Sequence, residues 1–156
     1  MHPSGKKKVD WMREVIRYEI KLEPKSKKNH MQMVGIGKQC PVCKKKERML
    51  PIQSKQYLQY EKDCAWFLKP KPTKPIDFPV NICCTFYMKT KRRVDGLNLL
   101  AAIDDILVKH GILEDDSREF VAGHDGSRVY YDKTSPRVEI VITTVDDYEQ
   151  WKAGGE

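Results

Sequence analysis

The sequence lacks any long apolar run. No segment approaches the roughly 18 consecutive apolar residues of a membrane-spanning helix, and the first residues lack the apolar stretch of a secretory signal. The five cysteines are an odd number, which argues against a disulfide framework and for reduced thiols. These absences predict a cytoplasmic protein without a membrane partner.

Acidic residues are too few to balance the basic ones. The chain has 29 Lys and Arg against 22 Asp and Glu, a formal charge of +7 and a pI near 9.1. Such a balance is typical of proteins that bind polyanions. Much of the excess lies in basic runs at 6–8, 25–28, 44–48, 69–74 and 89–93. The length of 156 residues predicts one domain over 11–156, preceded by a flexible basic leader over 1–10.

Local patterns predict both strands and helices. Strands are predicted where apolar and charged residues alternate or β-branched residues cluster, at 15–22, 31–35, 80–88 and 138–144. Helices are predicted at 54–68, from Asp95 to Gly111, and at 145–152. A turn at 124–127 predicts a hairpin between 120–122 and 128–131. The set indicates an α/β fold of the α+β type: one compact domain, a mixed β-sheet with helices packed on it.

A CxxC pair stands in a stretch, 35–50, that we interpret as an inserted hairpin. Cys40 and Cys43 have the spacing of a zinc knuckle, but structural zinc takes four ligands, and the sequence has no second CxxC or Cys-His pair. Two chains could each supply both cysteines, His30 could join them, or the hairpin could be free of metal. A zinc-knuckle module that binds DNA or RNA is therefore one open interpretation. The other cysteines are expected as small core residues: Cys64, Cys83 and Cys84.

Carboxylates flank the helix that begins after Asp95. Asp95 precedes it, Asp115 and Asp116 follow its far end, and a basic pair, 92–93, stands beside Asp95. Mg²⁺ prefers oxygen ligands and is often held by one or two carboxylates with phosphate and water. It can orient and activate an attacking water for phosphodiester hydrolysis. We therefore predict a Mg²⁺ site with Asp95 and Asp116 as ligands. The alternatives are a helix N-cap for Asp95 and a solvated turn for the other two.

Most of the chain resembles the RusA family of Holliday-junction resolvases. The resemblance lies in Asp95…Asn98-Leu-Leu…Asp105-Ile-Leu…Asp115-Asp116, in the stretch from Asp132 to Ile142, and in Ser54-Lys55-Gln-Tyr57. It implies a small homodimer that depends on Mg²⁺ or Mn²⁺. It also implies that this dimer nicks two opposing strands of a four-way DNA junction during recombination and repair. The expected setting is the nucleoid of a bacterial or phage-infected cell.

The resemblance assigns the catalytic positions to Asp95, Asn98, Asp115 and Asp116. This chain departs from the family pattern at two positions: Leu97 replaces a second Asp, and Ala101 replaces a Lys. A catalytically weak junction-binding or architectural protein is therefore the main alternative. Asp105 follows Asp95 by ten residues, about 15 Å along a helix axis. We expect Asp105 to bond a neighbouring element rather than the same ion.

Basic side chains near these carboxylates are predicted to hold phosphates. The loop at 25–28 borders the active site in the family, and 91–93 directly precede Asp95. A solvated loop is the competing interpretation for 25–28. His124 suits a general base, but a turn residue exposed to solvent is the expected role. The predicted DNA contacts are Lys25, Lys27, Lys28, Lys91, Arg92 and Arg93.

Overall fold

The structure, a computed structural model, describes residues 14–28 and 31–145. These residues form two helices and seven strands in two sheets. In chain order the elements are β1 (Glu14–Ile20), β2 (Met31–Gln39), β3 (Lys46–Gln53), α1 (Lys55–Cys64), β4 (Val80–Met88), α2 (Gly96–Lys109), β5 (Val121–Gly123), β6 (Arg128–Tyr131) and β7 (Arg137–Thr144).

The larger sheet is mixed, and β4 runs through its middle. β7 lies antiparallel between β1 and β4, with Ile140 opposite both Tyr18 and Cys84. On the other edge of β4, both β5 and β6 run parallel to it. A parallel connection needs a crossover, and α2 supplies it between β4 and β5. The predicted α+β domain with a mixed sheet and packed helices is thus confirmed.

One face of this sheet forms the core with the two helices. Along β4, Ile82, Cys84 and Phe86 are buried, whereas the residues between them are half-buried. The period-2 burial arises because successive side chains of a strand point to opposite faces. Both helices contribute to the same apolar cluster, with Tyr57 from α1 and Ile103 from α2 among the members. Each large apolar side chain buried in this way contributes roughly 1.5–3 kcal/mol.

The hairpin predicted around 124–127 is wrong. β5 and β6 do not pair with each other; they follow one another along the same edge of β4. Asn81 of β4 holds the intervening turn, since its amide donates to the Asp125 carbonyl at 3.2 Å and its Oδ1 accepts from the Asp125 N–H at 2.8 Å. The Ser127 hydroxyl accepts from the Cys84 N–H at 2.9 Å. The turn therefore interrupts one edge strand instead of reversing the chain.

A second, two-stranded sheet is formed by β2 and β3. The strand predicted at 31–35 continues to Gln39, and β3 returns antiparallel to it, with Val34 opposite Leu50. Large apolar side chains of both strands are exposed, including Met33 at 59% and Met49 at 53%. This two-stranded sheet carries the CxxC pair in its connecting turn.

Capping residues define the ends of the helices. Ser54 Oγ accepts a hydrogen bond from the Tyr57 N–H at 3.2 Å, as expected for an N-cap. His110 is the C-cap of α2, and Gly111 follows it with φ +76°, a conformation that favours glycine. Within the described ranges, neither helix has the length and apolarity needed to cross a bilayer. The predicted leader at 1–10, and all of the predicted helix at 145–152 except Val145, lie outside these ranges.

Candidate nuclease site

Asp95 stands at the start of α2 and caps it. Its Oδ1 accepts hydrogen bonds from the backbone N–H groups of Leu97 at 3.0 Å and Asn98 at 3.4 Å. The capping role considered from the sequence is therefore confirmed. It does not use the whole carboxylate: among the described residues, no hydrogen bond or ion pair engages Oδ2. One carboxylate oxygen remains for a further ligand.

A polar cavity of about 530 Å³ opens at this helix start. Lys28 comes from the loop after β1, and Arg93, Asp95 and Asn98 come from the segment that leads from β4 into α2. Two cations, a carboxylate and an amide thus surround one space, and Lys28 is the member that comes from a distant part of the sequence. Such a set suits a phosphate group together with a hard cation, because the cations neutralise phosphate and the oxygens coordinate metal.

A second group of charges lies further along α2. The Lys27 ammonium is 2.6 Å from Asp105 Oδ2, so the prediction that Asp105 bonds a neighbouring element is confirmed. Asp116 lies beside Asp105, and both line one cavity. Desolvation, followed by hydrogen bonding with Asp105 and repulsion from its charge, raises the pKa of Asp116. A cavity of about 380 Å³ is lined by these three side chains together with the ion-paired Glu61 and Lys109.

The predicted Mg²⁺ ligands Asp95 and Asp116 line different cavities. Asp116 contacts Asp105, which lies about 15 Å from Asp95 along the helix axis. In the described parts of the chain, no three His, Cys, Asp or Glu side chains cluster closely enough to hold a metal ion. The assignment of Asp95 and Asp116 to one ion stays a prediction. Asp115 is held locally, because a hydrogen bond from the Ser117 hydroxyl lowers the pKa of Asp115.

The predicted phosphate contacts are divided between these two places. Lys28 and Arg93 line the cavity at Asp95, whereas Lys27 is paired with Asp105. The Lys91 ammonium lies 5.1 Å above the centre of the Tyr131 ring, a cation–π contact. Of the remaining two, Arg92 is exposed and Lys25 is half-buried. The structure therefore brings Lys28 and Arg93, out of the six, to the cavity that Asp95 lines.

The cysteines of the CxxC pair meet in the turn between β2 and β3. The Cys43 N–H donates to Cys40 Sγ at 3.5 Å, and this contact lowers the pKa of the Cys40 thiol. The Lys44 N–H donates to the Cys40 carbonyl at 2.9 Å, and Lys44 adopts φ 61°, which is uncommon for a residue with a side chain. The turn thus has a defined geometry in which Cys43 is exposed and Cys40 is half-buried.

The expected role of His124 as a solvated turn residue is wrong. Its Nε2 lies 2.9 Å from both carboxylate oxygens of Asp104, a largely buried residue of α2. The hydrogen bond with Asp104 is the main cause of a raised pKa of His124, and burial opposes it. Asp104 lies on the core side of an amphipathic helix, and a buried carboxylate is costly unless a hydrogen-bond or ion-pair partner is present. The sequence therefore indicates that Asp104 has such a partner. The sequence does not indicate which residue that partner is.

The donor set at Asp95 fits a magnesium ion by its chemistry. Mg²⁺ retains several waters and binds one or two protein carboxylates plus substrate phosphate, so a single available carboxylate oxygen in this cavity matches what the ion takes from a protein.

A scan against protein-family models finds no matching model, and a search of curated proteins finds no match.

Proposed function

We propose that the protein is a Mg²⁺-dependent, structure-selective DNA endonuclease that resolves four-way junctions by paired nicks. The observation that carries this proposal is the cavity at the start of α2. There Asp95 and Asn98 lie with Lys28 and Arg93, two oxygen ligands beside two cations. Such a combination suits phosphodiester hydrolysis, because the oxygen ligands can hold a metal ion and the cations can stabilise the negative charge that builds up on the scissile phosphate.

Each residue has a distinct role in this proposal. Asp95 holds Mg²⁺, or Mn²⁺, through the oxygen that does not cap the helix. When bound, the ion supplies charge stabilisation and a more acidic water for the attack. Lys28 and Arg93 grip adjacent phosphates and fix the strand in the cavity, and the Asn98 amide orients the reacting group. Asp116, next to Asp105, forms a second acidic position, and Asp115 orders the turn that presents it.

A homodimer is part of the proposal. A four-way junction has four arms and two equivalent opposing strands. A two-fold dimer presents the same site twice in matching orientation, so one protein can nick both strands. The basic charge of the chain supports binding to such a highly charged substrate, largely without regard to sequence.

The substitution Asp95→Asn tests the role of the carboxylate charge. Asparagine is as good an N-cap as aspartate, so α2 keeps its cap while the metal ligand loses its charge. We expect Mg²⁺-dependent cleavage of a synthetic junction to fall by about 100-fold or more, because even outer-shell partners of a metal are worth roughly 10–100-fold. Junction binding, measured by gel shift in Ca²⁺, should persist.

A matched control is Asp77→Asn, which removes one surface carboxylate of the Lys74 ion pair before β4. Its cleavage rate should equal that of the wild type. Equal cleavage by the Asp95→Asn variant and the wild type would contradict the proposal.

The alternative is a catalytically weak protein that binds or shapes junctions. It is favoured by the residue types at the two positions where the chain departs from the RusA pattern: Leu97 and Ala101 are both exposed, but neither side chain carries a charge that could hold metal or phosphate. An architectural protein of this kind binds the junction tightly but produces no Mg²⁺-dependent nicks. The wild-type assay with and without Mg²⁺ therefore separates the two functions before any variant is made.

A further inference from the structure

The turn at the tip of the β2–β3 hairpin has the geometry of half a zinc site. In a zinc knuckle, two cysteines separated by two residues place both sulfurs on one side of a tight turn, and backbone N–H groups point at the sulfurs. Here the Cys43 N–H points at Cys40 Sγ, and the chain returns through Lys44 with φ 61°. Val42, between the cysteines, is 90% exposed, so no core residue requires this turn.

The same chain does not complete the set within its described ranges. Structural zinc is almost always bound by four ligands, mostly cysteine and histidine. Of the other cysteines, Cys64 and Cys84 are buried in the core, and Cys83 lies half-buried on β4. Over residues 14–28 and 31–145, no cluster of three or more possible ligands is present. Two ligands must therefore come from elsewhere.

We propose that Cys40 and Cys43 of one copy and the same two cysteines of a second copy together hold one Zn²⁺. A two-fold axis through the ion turns two equal halves into a Cys₄ site. The hairpin also offers apolar surface for such an arrangement, with Met33 and Met49 exposed on its strands. Burying these side chains between two hairpins removes apolar area from water.

Charge makes this association depend on the metal. Each tip carries four lysines, at 38 and 44–46, so two tips without metal repel each other. Four thiolates outweigh the charge of one Zn²⁺, and the resulting net negative centre offsets the surrounding ammonium groups. On binding, each thiol releases its proton to solvent, so no oxidant or reductant is needed.

The test is the metal content and mass of the full-length chain. The protein is purified under reducing conditions, loosely bound ions are removed with a weak chelator, and zinc is measured by elemental analysis and native mass spectrometry. We expect one zinc per two chains and a dimer mass that includes one ion. Replacement with Co²⁺ should saturate at the same ratio and give the intense absorption of four sulfur ligands.

Variants distinguish this site from other zinc sites. Cys40→Ser and Cys43→Ser should each abolish zinc binding, whereas Cys83→Ser, the matched thiol control on β4, should retain it. His30→Ala should also retain zinc, since the proposal uses no histidine. Absence of zinc, one zinc per chain, or loss of zinc in His30→Ala would each overturn the proposal. It does not rest on nuclease activity, because metal content and junction cleavage are measured separately.

Discussion

At the scale of single residues, Leu97 is the position at which a second metal-binding carboxylate could be added beside Asp95. It lies two residues after Asp95 in the first turn of α2, lines a cavity beside Asp95, and is 77% exposed. The RusA resemblance places a second carboxylate at this position. Because the side chain is exposed, a change to aspartate costs little packing, and an acidic residue in the first turn of a helix is favourable.

We expect Leu97→Asp to raise the rate of Mg²⁺-dependent junction cleavage by about tenfold or more, since a second carboxylate strengthens the binding of the ion. The matched control is Leu97→Asn, which is polar and similar in size but uncharged, and should leave the rate near that of the wild type. Steady-state cleavage at several Mg²⁺ concentrations measures the effect. A variant no faster than wild type at every concentration would count against metal binding at Asp95.

The ion pair between His124 and Asp104 makes stability depend on pH. Because the folded state raises the pKa of His124, it holds the proton more tightly than the unfolded chain does. The stabilisation is complete at pH values below the pKa of His124 in the unfolded chain, about 6.5. It is lost as the pH rises through the higher pKa of the folded state. We expect His124→Gln to be less stable than wild type by about 1–3 kcal/mol below about pH 6.

The difference between the two proteins should shrink as the pH rises above 6.5. Urea unfolding of both proteins over this range measures it. In an Asp104→Asn background the pH-dependent part should disappear, since the carboxylate that raises the pKa of His124 is gone. A difference that stays constant or grows with rising pH would contradict this account.

At the scale of elements, Asn81 joins two short strands into one edge of the sheet. It is buried, and its side chain both donates to and accepts from the Asp125 backbone. Asn81→Ala removes both bonds, so we expect the free energy of unfolding to fall by about 1–2 kcal/mol. Urea denaturation gives the values, and an Asn81→Ala variant as stable as the wild type would refute this role.

The elements differ in how far the sequence predicts them. β4, β7 and both helices carry strong local signals: apolar or β-branched runs, helical periodicity and capping residues. The turn at 124–127 has an equally strong signal, but a turn does not specify which strand its flanks pair with. That pairing depends on Asn81, more than forty residues away. The local pattern therefore predicts the position of the turn correctly but the pairing of its flanking strands wrongly.

The same limit applies to the candidate site. The sequence places Asp95 directly before a predicted helix, and this position is enough to predict that its side chain could cap the helix. The contacts of Lys28 with the Asp95 cavity and of Lys27 with Asp105 each join segments that are more than sixty residues apart. Composition and spacing indicate which residue types are available for chemistry, but only the packing of α2 against the loop after β1 determines which of them meet.

At the scale of the whole molecule, the positive charge should control binding to DNA. Each phosphate neutralised by Lys or Arg releases counterions, which contributes about 0.9 to the slope of log K against log salt on duplex DNA. We expect Lys28→Gln and Arg93→Gln each to reduce the slope for junction binding by about 1. Lys71→Gln, an exposed lysine in the segment before β4, is the charge-matched control and should leave the slope unchanged. Equal slopes for all three variants would argue that the cavity does not contact phosphate.

We propose that this molecule hydrolyses junction DNA with a divalent ion at Asp95. The most direct measurement labels each of the four strands of a synthetic junction in turn and maps the products made by the wild-type protein with and without Mg²⁺. We expect Mg²⁺-dependent nicks at matching positions in two opposing strands, and none in a linear duplex of the same sequence. Intact strands in Mg²⁺ and in Mn²⁺, with the junction fully bound, would contradict it.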